Sequence, residues 1–275
     1  MRDDSGVRLV HLENSVDNKI HSTALVAPGV RMGRGNEIGP FAVIEDDVEL
    51  GNGNRIHAHA VLKRGCRLGD ENAVHEHAVL GAWPQDLGFK DKATYVEIGN
   101  GNVLREGVTI HRASRDGEST RLGNDNFLMV NAHLGHDCQL GNRIVIAPSS
   151  ALGGHVRVED RAFISGGVMV HQFVRIGSFA MIGGNSKITQ DALPFLITDG
   201  VPGRARGLNL VGLKRAGFSG ADLRELKQAY RGLFRSQQGL EHRLQELGRR
   251  DNPHVAHLVA FIAGSKRGFH RDREA

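Results

Sequence analysis

The chain has 275 residues, 36 of them glycine and only 5% aromatic, and a formal net charge of +4. That length allows one large domain or two modest ones with a real core, and the composition points to small and aliphatic side chains linked by short turns. The opening segment MRDDSGVRLVHLENSVDNKI is too polar for a secretory signal and no apolar run nears the ~18 residues that span a bilayer, so a soluble cytoplasmic protein without stable membrane insertion is expected.

From Ile20 onward an apolar residue recurs every six positions: Ile20, Val26, Met32, Ile38, Ile44, Leu50, Ile56, Leu62, Leu68, Val74 and Leu80. The same phase returns at Ile98, Leu104 and Ile110 and runs unbroken from Leu122 to Ile188, failing only at Asp86, Lys92 and Asp116. Neither a helix nor an ordinary strand gives a period of six. A hexapeptide solenoid does, with one short strand and a turn per hexad and three hexads closing each coil. The residue two before the beat supports three, because Asn36, Asn54 and Asn72 recur every eighteen. Asparagine tolerates left-handed backbone and is expected at a tight corner. Glycine directly follows twelve beats, where it is expected to relieve the turn. Cys66 and Cys138 occupy matching places in the repeat, which predicts two small core residues and neither a disulfide nor a metal pair.

The failed beats mark two excursions, near residues 81–97 and 112–121, and loops leaving a rigid solenoid are where function concentrates. After Gln190 the beat stops, and residues 191–218 read as irregular connection. Ser219 with Asp222 three residues on signals a helix start, followed by the stripe Leu223, Leu226, Tyr230, Leu233 and Phe234. Leu240, Leu244 and Leu247 predict a second helix, and Asn252 with Pro253 opens a third through Val255, Leu258, Val259 and Ile262. The expected organisation is therefore an all-β hexapeptide solenoid over 1–190 and a connecting segment with a helical domain over 191–275. Charge divides along the same line. Residues 201–275 carry fifteen Lys/Arg against seven Asp/Glu, or +8, which leaves −4 for the rest. The basic end suits an acidic partner, and a solvated helical face explains it equally.

Between the beats Leu122, Leu128, Leu134 and Leu140 stand His133, His136 and Asp137. His155 lies nineteen residues after His136, close to one coil, so adjacent rungs are expected to bring these imidazoles to one groove. A histidine with a carboxylate partner is the usual general base; a row of exposed corner histidines fits the same pattern. His57, His59, His75 and His77 repeat at the coil period in HAHA and HEHA. They could hold a metal, but ordinary exposed strand positions are the simpler reading. No nucleophile elbow or phosphate-binding glycine loop is present.

Six strings carry a closer resemblance: PQDL at Pro84 to Leu87, VTIHR at Val108 to Arg112, NAHLGHDC at Asn131 to Cys138, GGHV at Gly153 to Val156, HQF at His171 to Phe173, and GLNLVGLKRAGF at Gly207 to Phe218. Over nearly its whole length the chain resembles the UDP-N-acetylglucosamine 3-O-acyltransferases, hexapeptide-repeat enzymes of the first step of lipid A synthesis. The resemblance implies a left-handed parallel β-helix, a hand that the spacing itself does not give, and a homotrimer with sites between neighbouring solenoids. It implies His136 as general base, Asp137 as its orienting partner and the Gly154 N–H as oxyanion donor. Asp86, His133, His155, His171 and Gln172 would line the sugar and phosphopantetheine groove, Asn209 and Arg215 would stand near the nucleotide, and Gly184 would limit the acyl chain. No metal or resident cofactor is implied, since the acyl group arrives on the phosphopantetheine arm of acyl carrier protein, and no nucleic acid is implied as a partner.

Three positions depart from the family pattern. Gly88 stands where Lys is usual, Val211 where an acidic residue is common, and Ala216 where a second Arg would follow Arg215. These bear on the acceptor, including a 3-amino sugar nucleotide in place of the 3-hydroxyl. Other readings of the solenoid are a zinc hydratase similar to the γ-type carbonic anhydrases, the related N-acyltransferase, whose uridine-binding domain would need more than the nineteen residues before Ile20, and a purely structural coil.

Overall fold

The computed structural model describes residues 17–272, so the polar opening segment lies largely outside the described residues. Two compact units follow one another along the chain, divided after Cys138. In each, a hexad becomes a two-residue strand and a turn, as in Lys19–Ile20, Leu25–Val26 and Arg31–Met32 on three successive faces. The second strand residue is the apolar beat, and it points inward. Ile44, Ile56, Leu62, Leu80, Leu104 and Leu134 are fully buried in the first unit, and Ile146, Leu152, Ile164 and Ile182 in the second.

Registers show how the beat survives its interruptions. In the first unit Ile20 pairs with Ile38, Ile38 with Ile56 and Ile56 with Val74, steps of eighteen. Val74 then pairs with Leu104, and Leu104 with Leu128, steps of thirty and twenty-four. The excursions thus add twelve and six residues, whole hexads, so the apolar phase is undisturbed. They are also shorter than expected. Their edges are taken into four-residue strands, Val79–Ala82, Tyr95–Ile98 and Ser119–Leu122, and the last two pair over their full length. In the second unit the step between hexad strands is eighteen, as in Ile146 with Ile164 and Ile164 with Ile182, and it falls to sixteen where Ile182 pairs with Thr198 past the last hexad.

Two expectations about the corners are corrected. Asn36, Asn54 and Asn72 do not take left-handed backbone; the preceding residues Gly35, Gly53 and Glu71 do, with φ of 69°, 66° and 58°. The asparagines are buried instead, because their amides close a ladder along the inner corner. Asn54 Nδ2 donates to Asn36 Oδ1 and to the Gly69 carbonyl, while Asn54 Oδ1 accepts from the N–H and Nδ2 of Asn72, all at 2.9–3.0 Å. The glycine after the beat likewise answers to close approach more than to turn relief. A Cβ on Gly51 would fall 2.3 Å from Asp70 Oδ1 and 2.6 Å from the Gly69 carbonyl oxygen of the next coil. Cys66 and Cys138 are both buried and not joined in a disulfide, and burial pushes the Cys66 thiol up to about 12.

Past the last hexad strand, Lys187–Ile188, the stretch read as irregular is ordered. Leu196–Asp199 pairs antiparallel with Arg204–Leu208, and helix α1, Leu210–Arg215, follows. A search for period six passes over this hairpin because its burial alternates with period two: Leu196 and Thr198 are buried, Ile197 and Asp199 only partly. Helices α2 (Gly220–Arg235), α3 (Leu240–Gly248) and α4 (Pro253–Ala263) complete the end. Ser219 and Asp222 form the reciprocal capping box, and Asn252 caps α4 with Pro253 in its first turn. Leu213, Leu226, Leu233, Val255, Leu258 and Phe261 close a core with Phe195. Among the described residues no helix is long and apolar enough to cross a membrane.

Candidate active site

Asn131–Cys138 folds as the strand His133–Leu134 and the corner after it. Asp137 sits at that corner with φ of 61°, a left-handed conformation that Asp tolerates better than most residues. Its carboxylate Oδ2 lies 2.6 Å from His136 Nδ1. Ser114, in the second excursion, donates its hydroxyl to the same oxygen at 2.7 Å and its N–H to both oxygens at 3.2 Å. The Asp137 N–H donates to Thr120 Oγ1 at 2.8 Å. A carboxylate so held is an acceptor, so the proton on His136 belongs on Nδ1 and the imidazole lone pair on Nε2. Both side chains are largely buried, 17% and 9% exposed, which strengthens the pairing over what water would allow.

Two neutral imidazoles accompany this pair in the same unit. His133 Nδ1 lies 2.7 Å from Thr109 Oγ1, and its ring meets His111 edge to face at 5.1 Å. Burial holds both below the usual histidine range, His111 down to about 4 with a contribution from the neighbouring His133. At neutral pH they therefore present dipoles and not charges. The sequence reading assigns no role to Ser114, Thr120, Thr109 or His111. The available signal was a cluster of hydroxyl side chains on the flanks of the second excursion, three or more residues from any histidine singled out by spacing.

Asp86 stands in the exposed first excursion, where its Oδ1 accepts from the Gly88 N–H at 2.8 Å. The carboxylate thus shapes its own turn. That excursion is braced by Arg112, 4% exposed, which pairs with Asp91 at 3.0 Å and lies 5.8 and 5.7 Å from the rings of Trp83 and Phe89. In the second unit Gly154 is buried and its carbonyl accepts from the Phe173 N–H at 3.0 Å. His155, at φ 61°, stacks on Phe173 with centroids 4.5 Å apart. His171 and Gln172 are exposed on the same rung as Phe173, and His171 Nδ1 lies 3.3 Å from Arg267 Nη2.

The two expected nucleotide contacts differ in kind. Asn209 caps α1: its Oδ1 accepts from Gly212 N–H at 3.1 Å and its Nδ2 donates to the Phe179 carbonyl at 3.0 Å. Arg215 ends the same helix and is exposed, as is Val211 one turn earlier. Gly184 is exposed with ordinary backbone; a Cβ there would meet only Gly166 O at 3.5 Å and Ser165 Cβ at 3.9 Å.

A histidine paired with a buried carboxylate on a hexapeptide solenoid is the arrangement expected of a hexapeptide-repeat acyltransferase. Comparisons with known proteins specify the family. The second-domain model described as UDP N-acetylglucosamine O-acyltransferase matches residues 191–270. An acyl-[acyl-carrier-protein]–UDP-N-acetylglucosamine O-acyltransferase of Alkalilimnicola ehrlichii is 52% identical over 256 residues, 92% of this chain and 99% of the relative. Its counterpart in Synechocystis is 48% identical over 68% of each chain. The crystal structure of the UDP-N-acetylglucosamine acyltransferase of Bacteroides fragilis superposes with a TM-score of 0.89 at 36% identity, covering 92% of this chain and all of that one. The chain belongs to the UDP-N-acetylglucosamine O-acyltransferase family, and its fold is the family's left-handed parallel β-helix with C-terminal helices.

The hydroxyl of Ser114 is one of the donors that fix Asp137 and through it His136, which makes it a positioning residue. Ser114→Ala is expected to lower kcat about tenfold while leaving KM near its original value, and Ser114→Thr to restore most of the rate. Steady-state kinetics of the two variants checks this; a KM effect alone would assign Ser114 to binding.

Proposed function

We propose that this chain transfers a 3-hydroxyacyl group from acyl carrier protein to the 3-hydroxyl of UDP-N-acetylglucosamine, the first step of lipid A biosynthesis. The observation that carries the reading is the Ser114–Asp137–His136 chain. It supports proton abstraction at His136 Nε2 as the sugar hydroxyl attacks the thioester carbonyl. The carbon–oxygen ester bond forms, the carbon–sulfur bond breaks, and the proton returns to the departing thiolate. A thioester is already activated, so a base, an oxyanion donor and positioning suffice. The Gly154 N–H is assigned to the oxyanion, a role worth about a hundred- to a thousand-fold in other acyl transfers. His133, His155, His171, Gln172 and Asp86 are assigned to the sugar and phosphopantetheine, and Asn209 and Arg215 to the nucleotide. Because Asn209 is already committed at both ends of its amide, its part is to set α1, with Arg215 as the direct contact.

The names of the relatives specify O-acylation from an acyl carrier protein, which favours the hydroxyl over a 3-amino acceptor and acyl transfer over zinc hydration. A homotrimer, a cytoplasmic location and the absence of a resident cofactor belong to the same proposal, and the +8 end supports attraction of an acidic carrier. Purified protein mixed with 3-hydroxyacyl carrier and UDP-N-acetylglucosamine should yield the 3-O-acyl product; no transfer would refute the assignment.

Gly184 supports a longer acyl chain, since nothing occupies the place of its side chain. Gly184→Met should fold normally, given the ordinary contacts a Cβ makes there, and shift preference to shorter 3-hydroxyacyl groups by about tenfold or more, in line with the 1–3 kcal/mol that a pocket gains or loses per methylene. An assay across carriers of several chain lengths reads this directly, and unchanged preference would remove Gly184 from the acyl groove.

A further inference from the structure

Outside the acyl-transfer machinery, the HAHA and HEHA strings place two imidazoles and a carboxylate together. Ile56 pairs with Val74 in parallel register, so the residues that follow them, His57 and His75, stand one coil apart with rings stacked at 4.5 Å and 7°. Glu76 comes next in the chain. We propose that His57, His75 and Glu76 form a binding site for a divalent transition-metal ion of the zinc class on the face of the solenoid.

The spacing carries the proposal. One donor atom from each of the three residues lies within 4.8 Å of the others. His57 Nδ1 is 3.5 Å from Glu76 Oε1, and His75 Nδ1 is 3.6 Å from Glu76 Oε2. Both separations exceed the 2.7–3.2 Å of a proper hydrogen bond, so the carboxylate does not clasp either ring. They come close to the spacing that a metal ion sets between its ligands, one imidazole facing each carboxylate oxygen. Ligands held at about 2.0–2.2 Å on a tetrahedral centre stand roughly 3.3–3.5 Å apart. Imidazole nitrogen with carboxylate oxygen is also the ligand set that suits zinc and its neighbours and not calcium or magnesium.

The next rung provides an internal comparison. Val74 pairs with Leu104, so Arg105 takes the place of His75 and Glu106 that of Glu76. There the guanidinium binds the carboxylate directly, at 2.7 and 3.1 Å. The chain supplies that rung's cation from its own side chain. Between the rungs of His57 and His75 the Glu76 carboxylate faces two imidazoles across a gap of cation size, with Glu106 Oε1 3.9 Å from His75 Nδ1 as a further oxygen. The site opens to a groove lined by His21, Glu37, Pro40 and Arg55, which gives an ion access. Stacking alone accounts for the neighbouring pair His59 and His77, 5.1 Å apart at 7°. It does not account for the carboxylate that His57 and His75 share.

Chelator-stripped full-length protein titrated with zinc by calorimetry, and with cobalt by visible absorption, tests the assignment. One saturable equivalent per chain is expected, with a rise in Tm as the ion loads the folded state. His57→Ala, His75→Ala and the isosteric Glu76→Gln should each weaken binding by about tenfold or more, while His59→Ala retains it. Acyl transfer by the folded His75→Ala protein should equal that of the parent. Absence of saturable zinc binding, or binding unchanged in these three variants, overturns the proposal. Zinc binding abolished by His136→Ala instead would overturn it equally, by placing the ion at the catalytic pair.

Discussion

Replacing His136 with alanine is expected to lower the acyl-transfer rate by about a hundred- to ten-thousand-fold, the range over which a positioned base accelerates proton transfer. The loss should fall on kcat with little change in KM, because the proton moves only in the transition state and ground-state binding rests on other groups. His136→Gln keeps a hydrogen-bonding side chain but no basic nitrogen, and should be nearly as slow. Asp137→Asn separates orientation from basicity. Asp137 accepts from Ser114 and pairs with His136 Nδ1, so an amide in its place can offer its N–H to Nδ1 and turn the lone pair of the imidazole to the wrong nitrogen. A fall in kcat approaching that of His136→Ala is therefore expected. Single-turnover transfer from loaded carrier protein measures these rates free of product release. Full transfer by His136→Ala would remove it from the base role and leave the chain in the same family with a different chemistry.

Much of this site could be read from residue order, and the physical reason is that a solenoid is nearly one-dimensional. Each coil stacks on its neighbour, so sequence spacing translates directly into rung and face. That is why the period of six located the strands; the pairing of Asp137 with His136 rests on their adjacency in the chain and on the family resemblance. Ser114 and His111 were not legible in the same way. Ser114 enters from the excursion that precedes Ser119–Leu122, whose pairing with Tyr95–Ile98 lies outside the two-residue hexad pattern, and His111 from the end of Thr109–His111, where the register against Val79–Ala82 shifts. The hairpin Leu196–Asp199 with Arg204–Leu208 and helix α1 escaped for a related reason. Short elements beside a strong period-six signal carry too few residues to announce a period of their own. The asparagines show the converse error. Their spacing was read correctly and their role was not, since propensity for left-handed backbone competes with the value of a buried amide that can both donate and accept along a stack.

That last point yields the second large effect. Asn54→Ala is expected to destabilise the solenoid by about 3–5 kcal/mol, from two or more buried groups losing partners at roughly 1–3 kcal/mol each. Asn54 is fully buried. Its loss strands the Gly69 carbonyl and the Asn72 N–H, and takes one of two partners from Asn72 Nδ2, which still donates to the Gly99 carbonyl. Asn36 Oδ1 is spared because it keeps the Asn54 backbone N–H at 2.9 Å. Substitution by leucine gives no relief, as an apolar side chain occupies the corner without answering the carbonyl. Asn52 is the control. It too bridges coils, accepting from Arg34 N–H at 3.0 Å and donating to Asp70 Oδ1 at 3.1 Å, but it is exposed, and water can replace what Asn52→Ala removes. Its cost should stay below about 1 kcal/mol. Denaturant midpoints for the two variants would differ accordingly if buried amide pairing holds the coils in register, and would coincide if the apolar beats alone do so.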